Sequence, residues 1–187
     1  ICAPGRHALH HGRAHLARRR LVREGGSGGR GSIGEFLGQR RDAWFGYISP
    51  AMITEELLSA FRSTLYLVDL PATRVQLQVD EPSEPLRLWL HSQQHFCAAL
   101  LTAHNPSGQQ RDAAANHAAQ RRLHELLRER SLDFHTGCNV DPRQRWPVED
   151  SVLVADLSLP QAHRLAVHFG QLGFLWCDAA AVPRLHL

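Results

Sequence analysis

Glycine divides this chain. Ten of its 14 glycines stand in the first 51 residues, many in the run Gly25-Gly26-Ser27-Gly28-Gly29-Arg30-Gly31, and Arg18-Arg19-Arg20 lies just before that run. Such a segment cannot bury enough apolar surface to offset the entropy lost on ordering. The expectation is a disordered Arg/Gly-rich leader over 1–51 and a single folded domain over 52–187. The only methionine, Met52, directly precedes the first patterned stretch, Thr54-Glu55-Glu56-Leu57-Leu58. It is the expected natural start, with the leader as translated upstream sequence outside the functional protein. Two other readings of the leader stay open. One is a basic targeting segment over Arg13 to Arg23; the other is an RNA-binding Gly/Arg tail. No apolar stretch of secretory type follows the basic start.

Charge follows the same division. Nine arginines and three acids leave residues 1–51 at +6, whereas twelve arginines and fifteen acids leave the remainder at −3. Counterion-release binding needs clustered cations, so a nucleic-acid partner is unlikely for the domain. Every cation is arginine, which the codon usage of a GC-rich genome explains without a recognition surface. The longest apolar run, Phe96 to Ala103, is far shorter than the roughly 18 residues of a membrane span. Of the four cysteines, Cys97, Cys138 and Cys177 fall in the domain, an odd number at wide spacing. They read as buried thiols in a reducing, cytoplasmic compartment rather than a disulfide framework.

Periodicity supplies the elements. Thr54 to Ser63 reads as a short helix and Leu65 to Leu70 as a strand. Val75 to Val79 and Leu86 to Leu90 alternate apolar and polar residues, as half-buried strands do. Cys97 to Thr102 and Ser151 to Leu157 are continuous apolar runs suited to central strands. Asn105-Pro106-Ser107-Gly108 carries a type I turn pattern. A long helix is expected from about Asp112 to Arg130, and a second after Ser158, with Pro160 in its first turn, Gln161 at capping-box spacing and Gly170 just past its end. Asp133 to Cys138, Phe174 to Cys177 and Val182 to Leu187 complete the strands. The class is α+β: one sheet of mixed strands with two main helices packed on it.

Four blocks in order give the domain a resemblance. They are Phe61-Arg62-Ser63-Thr64-Leu65-Tyr66; Leu101-Thr102-Ala103-His104-Asn105-Pro106-Ser107-Gly108 with Asn116 and Leu123 downstream; Asp141-Pro142 leading through Trp146-Pro147 to Glu149 and Ser151; and Phe169-Gly170-Gln171 with Trp176 beyond. From Met52 onward the chain resembles the bacterial family catalogued as domain of unknown function 3293. The resemblance implies no activity, cofactor or partner. It differs from the family's pattern at His104, Asp150 and Leu172.

The polar residues of these blocks are the candidate site. Asn116, Leu123 and Leu127 fall within roughly 20° of one helix face, so the Asn116 amide points inward and must be paired. It either clamps the Thr102 to Gly108 loop or, with Thr102 and Asn105, lines a polar pocket at a strand end. Glu149 is the candidate catalytic residue, with Asp141 as a second carboxylate; the alternative is an ion pair with Arg143 or Arg145. Ser151 and Gln171 join Thr102, Asn105 and Asn116 as ligand-binding candidates. No metal site is expected, because His135-x-x-Cys138 has no second pair at zinc spacing. No cofactor is expected either: the domain has no Gly-rich phosphate loop and no Gly-x-Ser-x-Gly nucleophile motif. The leading expectation is a small module that binds a small molecule or a protein partner. Its rival is an enzyme built on Thr102, Asn105, Asn116, Glu149 and Ser151.

Overall fold

The computed structural model describes residues 53–187; the expected leader and the Met52 start lie outside the described residues. The elements run α1 (Glu55–Ser63), β1 (Leu65–Asp69), β2 (Arg74–Leu77), α2 (Glu84–Gln93), β3 (Cys97–Leu101), α3 (Ala113–Glu129), β4 (Phe134–Val140), β5 (Glu149–Ala155), α4 (Leu159–His168), β6 (Phe174–Asp178) and β7 (Arg184–His186). The strands form one sheet in the order β2-β1-β4-β5-β3-β6-β7.

The class is α+β, but the sheet is not mixed: all six pairings are antiparallel. The crossovers explain the difference. Helix α3 carries the chain from β3 to a strand of the same direction, yet β5 is inserted between β3 and β4. Helix α4 does the same from β5 to β6, with β3 between them. The segment β3-α3-β4-β5-α4-β6 is therefore a split βαβ pair of ferredoxin-like topology. The β1-β2 hairpin extends the sheet beyond β4, and β7 extends it beyond β6, giving a curled sheet with two free edges.

Alternation sorts the side chains into two cores. Ala99, Leu101, Val152 and Val154 pack with Leu123 and Leu127 of α3 and Leu165 of α4. Ala98, Leu100 and Leu153, one residue out of phase, pack on the opposite face with Val68, Leu77 and with Leu86 and Leu90 of α2. Strands β3 and β5 are covered on both faces, which is why their sequences are continuously apolar.

Among the described residues there are four helices, the short α1, the two main ones expected and α2, because 86–90 is helical. Ser83 Oγ accepts the Leu86 N–H at 3.4 Å and Pro85 sits in the first turn. Leu86 and Leu90, four apart, are fully buried, whereas Leu88 is 55% exposed. A five-residue alternation fits a strand and a short amphipathic helix equally, and here the cap decides. Helix α1 is capped by Thr54, whose Oγ1 accepts the Leu57 N–H at 3.2 Å, and α3 by Asp112, whose Oδ1 accepts the Ala115 N–H at 2.7 Å. At the start of α4 the Gln161 Oε1 reaches back to the Ser158 N–H at 3.0 Å, as a capping box requires. Gly170 follows at φ 66, a left-handed position where glycine is least strained.

Among the described residues no helix is long and apolar enough to cross a membrane. Cys97, Cys138 and Cys177 are free thiols. Burial pushes the Cys177 thiol up to about 12.

Candidate functional site

The site begins with strand register. Tyr66 on β1 pairs with Asn139 on β4, and Asn139 pairs with Glu149 on β5. Directly opposed residues share a face, so these three polar side chains form a row across three strands. Val68 and Leu153 place that row on the α2 side of the sheet. Tyr66 Oη donates to the Phe61 carbonyl at 2.9 Å, tying the row to α1.

The loop after β3 reaches the same place. Thr102 Oγ1 donates to the Asp150 carbonyl at 2.7 Å and accepts the His104 N–H at 3.1 Å. Asn105 takes a left-handed conformation, φ 48, which asparagine tolerates better than most residues. Its backbone N–H donates to Asn116 Oδ1, its Oδ1 accepts from Asn116 Nδ2, and both bonds measure 2.9 Å. Its Nδ2 then donates to Glu149 Oε1 at 2.6 Å. Asn116, buried on the Leu123/Leu127 face of α3, thus aims Asn105, and Asn105 holds Glu149. The turn over 105–108 differs from the type I expectation. Gly108 N–H bonds the Asn105 carbonyl at 3.0 Å, but Ser107 has φ 58, a positive angle that type II places at this position and type I does not. Gln171, just past Gly170, closes the far side: its Nε2 donates to the His104 carbonyl at 2.9 Å.

These elements enclose a cavity of about 260 Å³. Leu57, Ala60 and Phe61 of α1 line it beside Leu172, Trp146 and Pro147, and its polar lining includes Thr102, Asn105, Asn139, Glu149 and Gln171. Asn116 and Ser151 are outside the lining. Asn116 stands behind Asn105, and Ser151 is buried with no partner for its Oγ. The structure therefore brings Thr102, Asn105, Glu149 and Gln171 to one cavity, with Asn116 as support. It adds Tyr66 and Asn139, which sequence reasoning had not chosen.

The expected pairing of Glu149 with Arg143 or Arg145 does not occur. Asp141, in the same loop, takes the Arg145 guanidinium and the Arg143 backbone N–H instead. It accepts the Arg143 N–H at 3.1 Å and the Arg145 N–H at 2.9 Å, and Arg145 Nε binds it at 3.0 Å. The Arg145 guanidinium, with the two backbone N–H bonds, holds the Asp141 carboxyl down at about 2. It is a fixed anion, unsuited to proton transfer near neutrality. The Arg145 guanidinium also lies 5.0 Å from the centre of the Trp146 ring.

Glu149 is the opposite case. Burial pushes its carboxyl above the ordinary 4.5, and the hydrogen bonds from Asn105 and Asn139 offset this only in part. A carboxyl raised in the folded state adds stability while protonated and loses that contribution as pH rises through its folded value. The Gln side chain of Glu149→Gln carries no proton to lose. At neutral pH it is therefore expected to be at least as stable as the natural protein, with its advantage shrinking as pH falls through the raised folded value to 4.5 and changing no further below it. Urea denaturation across pH checks this. A Gln variant less stable at neutral pH than in acid, relative to the natural protein, would contradict it.

Among the described residues no group of three or more His, Cys, Asp or Glu is placed to hold a metal ion.

Fold and site together define an α+β domain with a ligand-sized cavity at one end of its sheet. Residues 101–173 match the model of the family described as Protein of unknown function (DUF3293). The segment runs from the end of β3 to the residue before β6, and it carries Asn105, Asn139, Glu149 and Gln171. The block Phe61 to Tyr66 lies outside it. Comparisons with curated proteins and with solved structures gave no match.

Proposed function

We propose that this domain binds a small organic molecule in the cavity between α1 and the Tyr66–Asn139–Glu149 row. The observation that carries this reading is Glu149 itself, a carboxylate set into a mostly apolar cavity with only neutral amides bonded to it. Ordinary structural glutamates are solvated or ion-paired; poorly solvated ones concentrate at sites. The volume sits below the usual range of about 300–1,000 Å³ for drug-sized ligands, so the ligand is small. The free thiols fit a cytoplasmic location.

Saturation-transfer NMR with benzyl alcohol as a cavity-sized probe tests the reading. The natural protein is expected to give signal, and Leu57→Trp, which fills the cavity from α1, is expected to lose it while melting normally. Equal signal from both proteins would place the probe elsewhere.

A second reading is supported by the upward shift of the Glu149 carboxyl. In that reading the same residue is a general acid or base acting on the bound molecule. Chemical change in a ligand retained by the natural protein but not by Glu149→Gln would favour it.

A further inference from the structure

The row Tyr66, Asn139 and Glu149 gathers acceptors on the cavity's polar wall. Tyr66 Oη spends its one proton on the Phe61 carbonyl, so toward other groups it can only accept. A carboxylate only accepts, so Asn139 must turn its Nδ2 to Glu149 to make their hydrogen bond. Asn139 Oδ1 is then left buried without a partner. Glu149 brings two oxygens and a negative charge. Of the donors that line the cavity, Asn105 Nδ2 is committed to Glu149, Gln171 Nε2 to the His104 and Phe169 carbonyls, and Arg145 Nε and Nη2 to Asp141, while Gln110 and Trp146 also line it. Burial moves His104 toward its neutral form. No ion pair reaches Glu149 from a cation among the described residues.

We infer that the molecule bound here is a primary organic ammonium, with its three N–H donors facing the Tyr66, Asn139 and Glu149 acceptors and its carbon body against Leu57, Phe61 and Leu172. This deepens the cavity-binding reading and rests on it. The charge on Glu149 would be balanced by the ligand instead of by an arginine, and charge-assisted hydrogen bonds of this kind are the strong ones. The aromatic rings of Tyr66 and Phe61 add cation–π attraction at close range.

Three probes of one shape separate the possibilities: benzylamine, benzyl alcohol and benzoate, titrated by isothermal calorimetry. Benzylamine is expected to bind at least about tenfold more tightly than benzyl alcohol, and benzoate more weakly than either. Glu149→Gln is expected to lose that preference while still binding benzyl alcohol, which shows that the cavity survives the substitution. The amine's affinity should rise with pH until the Glu149 carboxyl is fully ionised, because proton and ammonium compete for the same oxygens. Of the other titratable groups facing Glu149, Tyr66 is raised and Asp141 lowered away from neutrality and His104 is held toward neutral, while the Arg145 guanidinium is bonded to Asp141.

Benzyl alcohol or benzoate binding as tightly as benzylamine overturns the ammonium assignment and leaves the cavity reading standing. An unchanged amine preference in Glu149→Gln does the same. If none of the three binds the natural protein, the cavity reading fails and takes this inference with it.

Discussion

Gly137→Ala is expected to destabilise the domain by about 3–5 kcal/mol, the range reached only when backbone or core cannot yield. A Cβ built on Gly137 would lie 2.2 Å from the Leu67 carbonyl oxygen and 3.2 Å from Val68 Cα. Both neighbours are backbone of β1, so no side chain can swing aside. The strands would have to part where Val68 opposes Gly137, two register steps from Tyr66 and Asn139. Gly173→Ala is the control. Its nearest neighbours are a terminal methyl of Leu187 at 3.1 Å and the His186 carbonyl oxygen at 3.2 Å, which need to give by only a few tenths of an ångström, so the expected loss is smaller, about 1–2 kcal/mol. Chemical denaturation of the two variants measures the difference; similar stabilities would show that β1 is not held tightly against β4. Because the Gly137 change also displaces the Tyr66 end of the row, benzyl alcohol binding should weaken along with stability.

Asn116→Leu is expected to cost about 1–3 kcal/mol, the cost of leaving buried polar groups unpaired. Leucine keeps similar bulk on the Leu123/Leu127 face but abandons the Asn105 backbone N–H and removes a donor from Asn105 Oδ1. A left-handed asparagine that has lost its anchor can relax, and its Nδ2 then leaves Glu149. The variant should therefore lose probe affinity as well as stability. Denaturation midpoints and benzyl alcohol titration together check this. A variant as stable as the natural protein would show that the loop is held elsewhere, for instance by Ala103 N–H on Gln120 Oε1.

What could be read before the structure depended on how local the cause was. The inward amide of Asn116 follows from helix geometry alone, and the cap at Ser158 from three residues. The strand order could not be read this way. The insertion of β5 between β3 and β4 is a choice among non-local partners, so crossover helices suggested parallel neighbours that the intercalated strand keeps apart. Helix α2 was lost to a five-residue alternation although Ser83 and Pro85 marked a helix start. Glu149 was expected to find an arginine because Arg143 and Arg145 were near in sequence; Asp141, equally close to Arg145 on the other side, took its guanidinium. Tyr66 and Asn139 carried a weak signal, a polar group one residue in from a strand end. Only register shows that they stand side by side.

The polar row crosses a seam in the sheet. Asn139 and Glu149 belong to the split βαβ unit, whereas Tyr66, together with Phe61 above it, belongs to the helix and hairpin added at its edge. Tyr66 must find a partner 73 positions further along the chain, a closure that local contacts do nothing to reward until the central unit exists. The cavity is thus a product of docking, absent whenever α1, β1 and β2 come away from β4. Anything lodged against both sides of the seam works as a rivet. It should slow amide exchange throughout α1, β1 and β2 while leaving the central strands β3 and β5 unchanged, and its residence time would be set by how often the edge lifts.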